Sequence, residues 1–375
     1  MVKIFVAGDV VNNHNETGLL CTDTLSSLIQ DCDYSVCNFE APVTGYGKKV
    51  RKCGPHLNQR AITVDGLKQQ GFDLLLLANN HILDYGPDGL TGTMNLAKEN
   101  QLDTTGAGAN MMEAYSPLIK EINGLQIGII NACEAQFGVI NNFEKVNASG
   151  YAWINHTLID KNVLYLRKRC DFVLVFAHAG LENYSIPQIE WRDRYRHLCD
   201  LGADIVIGTH PHVPQGYERH NGSLIFYSLG NFYFDYDYAR YSENCSYAIR
   251  IKLSKGEVPT FEPIFHYTNN CKVDVSPINK QVNITDLCRQ LGDGYENAHD
   301  VMSLEAYNMI KKLLIRSMAT IPTDGTITGT LREILATLLS RRKAFDKSIY
   351  SLHFMRNEAY YYATRHALEL ESREN

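Results

Sequence analysis

Short runs of continuously apolar residues, rich in valine, isoleucine and leucine, punctuate the first two thirds of the chain. They read KIFVA (3–7), YSVCNF (34–39), FDLLLLA (72–78), LQIGIINA (125–132), DFVLVFA (171–177), ADIVIG (203–208) and SLIFYSL (223–229). Each is strand length, and each is apolar at consecutive rather than alternate positions, so both faces of the resulting sheets must be covered. Longer amphipathic stretches at 63–70, 87–100, 157–169 and 187–201 lie between them and supply that cover as helices. The expected architecture is a layered α/β domain. Strands at 246–253 and 259–267 extend it. Beyond about residue 275 the period becomes helical, as in Tyr307, Ile310 and Leu314, then Leu331, Ile334, Leu335 and Leu338, with further helix to Asn375. The division expected is an α/β domain over 1–270 and a mainly helical C-terminal extension over 271–375.

The formal net charge is -6. The acidic excess lies in the front part, and no basic block occurs beyond Arg341, Arg342 and Lys343, so neither nucleic acid nor an anionic membrane is an expected partner. The ten cysteines form no C-x-x-C pair, and Cys37, Cys133 and Cys170 sit in or beside apolar runs; buried free thiols in a reducing compartment are expected. The start MVKIFVAGDV reads as a core strand, and no segment reaches the ~20 apolar residues of a bilayer span. A cytoplasmic protein without stable membrane insertion is expected. Trp153 and Trp191 read as packing residues. Tyr360, Tyr361 and Tyr362 cover too much of a helix to stay wet, so the tail is expected to dock on the front domain or on another subunit, as a lid or as the contact of a homo-oligomer.

Most of the front runs stop at a residue able to bind a metal. FVAGD ends at Asp9, VCNFE at Glu40, LLLLANNH at Asn79, Asn80 and His81, VLVFAHAG at His178, and DIVIGTHPH at His210 and His212. In open α/β sheets the carboxyl ends of strands form the ligand-binding edge, so these donors are expected to share one cleft. Two imidazoles spaced around Pro211 have no packing explanation. Imidazole, carboxylate and carboxamide without thiolate suit a divalent Mn, Fe or Zn ion, and so many donors suit one or two ions with a bridging acid.

The blocks GDV at 8, NFE at 38, GFDLLLLANNHILDYG at 71, HAGLENY at 178, GADIVIGTHPHVPQG at 202 and FYSLGNFYFD at 226 resemble the calcineurin-like metallophosphoesterase superfamily. Within it, they resemble the CapA/PgsA-type capsule and poly-gamma-glutamate biosynthesis branch. The resemblance implies an α/β/β/α sandwich. It also implies that Asp9 holds a first metal, Glu40 bridges, Asn80, His178 and His210 hold a second, and His212 returns to the first. His81 would be the general acid or an anion-binding histidine, with Asp84 orienting its ring. The superfamily's Asp-x-His departs here to Val11, so the first metal loses a ligand unless Asn12, Asn13 or His14 replaces it.

The expected activity is a metal-dependent hydrolase acting on a phosphoester or related anionic substrate, small or polymeric. Two alternatives stand beside it: a non-enzymatic capsule or poly-gamma-glutamate accessory, and a gamma-glutamyl amide hydrolase on the same metal site. Asn79, Glu182, Tyr184 and Asn231 are candidate pocket residues. Arg51, with Lys52 and His56, is a candidate contact for substrate anions or else part of a solvated basic loop shaped by Gly54 and Pro55.

Overall fold

The apolar runs form the strands of two sheets packed face to face. The computed structural model describes residues 1–141, 147–235, 245–269, 271–318, 326–339 and 346–373. Arg341, Arg342 and Lys343 lie outside the described residues, as do Asn375 and the residue before it. The first sheet has eight strands, in the spatial order β17 (Lys272–Val275), β16 (Thr260–Asn269), β15 (Cys245–Leu253), β1 (Val2–Val11), β2 (Tyr34–Phe39), β3 (Leu74–Leu76) and β4 (Asp103–Thr105), with β14 (Asn231–Phe234) pairing the far half of β1. The second runs β12 (Tyr217–His220), β13 (Ser223–Phe226), β11 (Ile205–Thr209), β10 (Phe172–His178), β7 (Leu125–Cys133) and β6 (Leu118–Ile122). A small third sheet joins β5 (Ala107–Gly108), β9 (Gly150–Ala152) and β8 (Val139–Ile140).

Alternation along each strand explains the double cover. Ile4 and Val6 of β1, Val36 of β2, Leu174 and Phe176 of β10, and Ile205 and Ile207 of β11 form one core between the sheets. Their neighbours Phe5, Ala7, Cys37 and Phe39 point the other way, beneath helices α1 (Asp23–Gln30), α2 (Ile62–Gln69) and α3 (Gly86–Glu99). Val173, Val175 and Val206 point outward beneath α5 (Thr157–Arg167) and α6 (Ile189–Asp200), which follow the short α4 (Met111–Tyr115). The result is the expected α/β/β/α layering. The third run is the exception in length: only Leu74–Leu76 is strand, because the chain turns at Asn79 to present Asn80 and His81.

The sandwich continues past residue 270, since β17 pairs β16 from His266↔Val275 to Asn269↔Lys272. Then come α7 (Ile284–Arg289), α8 (Tyr295–Met318), α9 (Ile327–Leu338), α10 (Lys347–Arg356) and α11 (Glu358–Arg373). Met302 and Ala306 of α8 and Ala359 and Ala363 of α11 enter the outer core of the second sheet, so the extension packs on that face. Tyr362 meets the buried Trp191 edge to face at 5.6 Å, while Tyr361 is half exposed. No described helix is long and apolar enough to cross a membrane.

β1, β2 and β3 run parallel, as do β7, β10, β11 and β13, so the carboxyl ends that carry the candidate donors lie at common edges. One glycine sets this edge. A Cβ on Gly8 would lie 1.8 Å from the carbonyl oxygen of Gly230, so only glycine lets β14 close on β1 and bring Asn231 opposite Asp9.

Candidate metal centre

Asp9, Glu40, Asn80, His178, His210 and His212 converge, all of them buried. Two triads of donor atoms, each within 4.8 Å of one another, share Glu40: Asp9, Glu40 and His212 form one, and Glu40, His178 and His210 the other. Nε2 of His178 and Nε2 of His212 each lie 3.8 Å from Oε1 of Glu40. Asn80 Oδ1 lies 3.1 Å from His178 Nε2, which places the carboxamide with the second triad. Neither carboxylate oxygen of Glu40 has a hydrogen-bond partner among the described residues. A buried acid without a donor costs several kcal/mol unless a cation meets it. The donor set therefore fits a divalent ion, or two bridged by Glu40.

The backbone is built to hold this geometry. His210 and His212 have φ of 97° and 60°, which aims both rings back into the cleft from either side of Pro211. Non-glycine residues there cost ~1–3 kcal/mol each and persist where the surroundings enforce them. Here the backbone N–H of His210 donates to Asp9 Oδ2 at 3.2 Å. Asn38 Nδ2 donates to Asp9 Oδ1 at 2.7 Å. His212 Nδ1 lies 2.9 Å from Asn231 Oδ1, so the proton sits on Nδ1 and the Nε2 lone pair faces Glu40.

The charges answer to burial. It pushes Glu40 well above the usual carboxylate range, with His212 opposing. His178 is driven well below the ordinary imidazole value and His210 down to about 4, both chiefly by burial, so both stay neutral, the form in which an imidazole binds a metal. Burial lowers His212 too, but Glu40 and Asp9 outweigh it and push it up to about 10. Without a cation, the negative charge of Glu40 and Asp9 therefore favours a protonated His212, and a bound cation would compete for its Nε2.

His81 stands at the rim, its Nδ1 2.7 Å from Asp84 Oδ2. Asp84 accepts further from the backbone N–H of Leu57 at 2.7 Å and ion-pairs with Lys52, whose Nζ is 3.3 Å from His81 Nδ1. Burial lowers the His81 pKa, with Asp84 opposing, so the ring is neutral near pH 7 and its Nε2 is a proton acceptor. Burial also lowers Lys52, against the pull of Asp84.

Several expected placements are corrected. Lys52 is not solvated, since only 4% of its side chain is exposed, whereas Arg51 is 79% exposed and pairs with Asp346 of the extension, away from the cleft. His56 is spent on the carbonyl of Val50 at 2.6 Å. Asn79 and Asn231 are not in the lining of the cavity beside His210: Asn79 is fully buried, donating to the carbonyl of Phe39 at 2.9 Å and accepting from the His81 N–H at 3.2 Å, and Asn231 stands behind His212. Glu182 and Tyr184 do face a cavity beside His210, and Glu182 groups with His210 and His212 as a further candidate ligand. Val11 packs with Ala41, Leu57 and Phe234, the Asn12 side chain bonds Asn15 and Thr63, and His14 is exposed and joins no donor group among the described residues.

Glu134 and Gln136 were not expected here. Glu134 is buried and accepts from the Gly180 N–H at 3.0 Å and from Gln136 Nε2 at 2.6 Å; that same Nε2 lies 3.1 Å from His210 Nε2. Asn80 Nδ2 donates to Gln136 Oε1 at 3.3 Å. The signal was present, because Glu134 directly follows the apolar run of β7 just as Glu40 follows that of β2. A separate donor group, His299, Asp300 and His366, lies on the helices of the extension.

Sequence comparison adds a family to this geometry. A model described as bacterial capsule synthesis protein PGA_cap matches residues 3–236. The PGA biosynthesis protein CapA of Bacillus subtilis (strain 168) is 33% identical over 242 residues, covering 61% of this chain and 60% of that protein. The capsule biosynthesis protein CapA of Bacillus anthracis is 34% identical over 224 residues, covering 58% and 54%. The matched region thus spans less than two thirds of the length of these relatives. Among solved structures, a 5'-nucleotidase precursor from Thermus thermophilus aligns over 81% of this chain and 59% of its own at 12% identity and TM-score 0.43.

Proposed function

The chain belongs to the PGA_cap family of bacterial capsule synthesis proteins, and from that premise and the cleft we propose a divalent-metal-dependent hydrolase acting on a phosphoester or related anionic substrate. The observation that carries the reading is Glu40, a buried carboxylate with both oxygens unpaired, 3.8 Å from two imidazoles that belong to different donor triads. Asp9, Glu40 and His212 would hold one ion, and Glu40, Asn80, His178 and His210 the other. Bound there, Mn, Fe or Zn supplies an acidified water and neutralises substrate oxygens.

The chain's own groups do the rest. Asn231 and Asn38 hold His212 and Asp9 in orientation. Lys52 ion-pairs with Asp84, and Asp84 bonds Nδ1 of His81, which would leave Nε2 of His81 for the cleft. In its protonated form His81 would donate a proton from Nε2 to the leaving oxygen, the general-acid role, and regain one from water afterwards. The setting we infer is capsule or poly-gamma-glutamate metabolism, as the relatives' names suggest.

A second reading is favoured by Val11. With an apolar residue where the superfamily places a histidine, the first triad is short of one donor, which suits an accessory protein that binds metal without turnover. Metal analysis of the purified chain, followed by assay on 4-nitrophenyl phosphate with and without manganese, separates the two. Manganese-dependent turnover that Asp9→Ala and His212→Ala each abolish, in folded protein, is expected. Bound metal with no turnover supports the accessory, and a chain that takes up no metal in excess manganese sinks both.

A further inference from the structure

Beside His210 opens a cavity of about 460 Å³ with two walls of different origin. The sandwich contributes Gln136, Glu182, Asn183 and Tyr184. The extension, which lies beyond the matched residues 3–236, contributes Met309 and Ile310 from α8 and Asn357 and Tyr360 from the α10–α11 junction. The second wall is fixed. Glu358, beside Asn357, accepts from the Ala135 N–H at 2.6 Å, Trp153 Nε1 at 2.9 Å and Asn155 Nδ2 at 2.9 Å, and the carbonyl of Ala359 accepts from Gln188 Nε2 at 3.0 Å. The size suits a small molecule attached to the group at the metals.

The lining is selective by charge. Among the described residues it holds one acid, Glu182, and no lysine or arginine. Lys52 is committed to Asp84, and Arg356, which lies over the ring of Phe137 at 5.6 Å, is not among the lining residues. A carboxylate entering this space would lose water and meet an acid, with no basic side chain in the lining to offset either cost. A hydroxylated or amide-bearing body would instead find amides and phenols to bond, and Tyr184, Tyr360, Met309 and Ile310 for its apolar edges.

We propose that this cavity binds the uncharged, hydroxyl- or amide-rich part of the substrate, so that the chain acts on a monophosphate of a sugar-like body rather than on a segment of a polyanion. The proposal rests on the metal-hydrolase reading. Calorimetry on the full, manganese-loaded chain tests it with three probes: inorganic phosphate, glucose 1-phosphate and phosphoserine. Glucose 1-phosphate should bind about fivefold to tenfold more tightly than phosphate, the yield of one or two net hydrogen bonds, and phosphoserine no more tightly than phosphate. Tyr360→Ala should bring the glucose 1-phosphate to phosphate ratio towards one. Met309→Lys, at a position 66% exposed, should favour phosphoserine by about fivefold. Phosphoserine preferred by the wild type, or ratios unmoved in both variants, overturns the proposal and leaves the metal-hydrolase reading standing. Failure to bind any of the three removes both.

Discussion

Single residues divide between those that touch the cleft and those that hold them in place. Asn231 belongs to the second kind: it is not in the lining of the cavity beside His210, yet its Oδ1 lies 2.9 Å from His212 Nδ1 and fixes that ring's orientation. Asn231→Ala should weaken manganese binding about 10- to 100-fold, the usual yield of removing a partner behind a metal ligand. Titration calorimetry reads this, and an unchanged affinity would show that His212 needs no such partner. Neighbouring basic residues give a sharper contrast. Lys52→Met leaves Asp84 buried with its counter-charge gone, which costs about 3–5 kcal/mol, whereas Arg51→Ala on the surface should change stability by less than about 0.5 kcal/mol. Urea unfolding of the two variants decides it. Equal losses would mean that Lys52 is as solvated as its neighbour. The sequence KKVRKCGPH does not distinguish the two lysine and arginine positions, because burial of one charge in a basic loop depends on Asp84, a residue 32 positions away.

At the level of elements, α6 is fastened to the edge hairpin of the second sheet by a compact charge network. Glu218 on β12 accepts from Arg196 at 2.7 Å, Arg192 at 2.8 Å and Tyr227 at 2.7 Å. Burial alone would raise its carboxyl, but these partners outweigh it and hold the pKa at about 2, below the ordinary glutamate value of 4.5. A depressed acid contributes stability that is complete above the unfolded value and is lost as pH falls towards the folded one. The window is therefore pH 4.5 down to about 2, worth at most about 3 kcal/mol. Glu218→Gln should flatten the fall in unfolding free energy across that window; an unaltered slope would assign acid sensitivity elsewhere, as to the buried His266, pushed down to about 3 by burial. The fold was legible at this scale because two-faced apolar runs force covered strands, and β1, β2, β7, β10 and β11 lie close to where those runs lie. Elements with little apolar signal were not: β4 is the three residues Asp103–Thr105, β12 is Tyr-Glu-Arg-His, and β14 forms only because Gly8 and Gly230 let backbones touch. The donors Asp9, Glu40, Asn80, His178, His210 and His212 were legible for the same reason as the strands that end in them. Their tight grouping also needs the left-handed turns at His210 and His212, which no side-chain pattern encodes.

On the scale of the whole molecule, one carboxylate gathers three of the hydrogen bonds between the extension and the sandwich. Glu358 begins α11 and takes its bonds from Ala135, Trp153 and Asn155, in the same loop region that carries Glu134 and Gln136 to His210. Trp153, which reads from sequence as packing, is therefore also a donor that ties the two parts together. Hydrogen bonds to a charged group contribute about 1.5–3 kcal/mol each, and α11 is held on the sandwich otherwise by Ala359 and Ala363, the Tyr362–Trp191 contact, the Gln188 bond to the Ala359 carbonyl and the half-exposed Arg365–Glu190 pair. Glu358→Ala should consequently release the extension before the sandwich unfolds. Amide exchange should then lose protection in Lys347–Arg356 and Glu358–Arg373 while β1, β7 and β10 keep theirs, since opening free energies differ between cooperative units. The same variant should retain bound manganese, because every proposed ligand lies in the sandwich, yet lose the preference for glucose 1-phosphate over phosphate, because Asn357 and Tyr360 are no longer held. Loss of protection throughout the chain, or loss of the metal along with the preference, would show instead that extension and sandwich fold as one unit and that the cleft cannot be separated from the wall beside it.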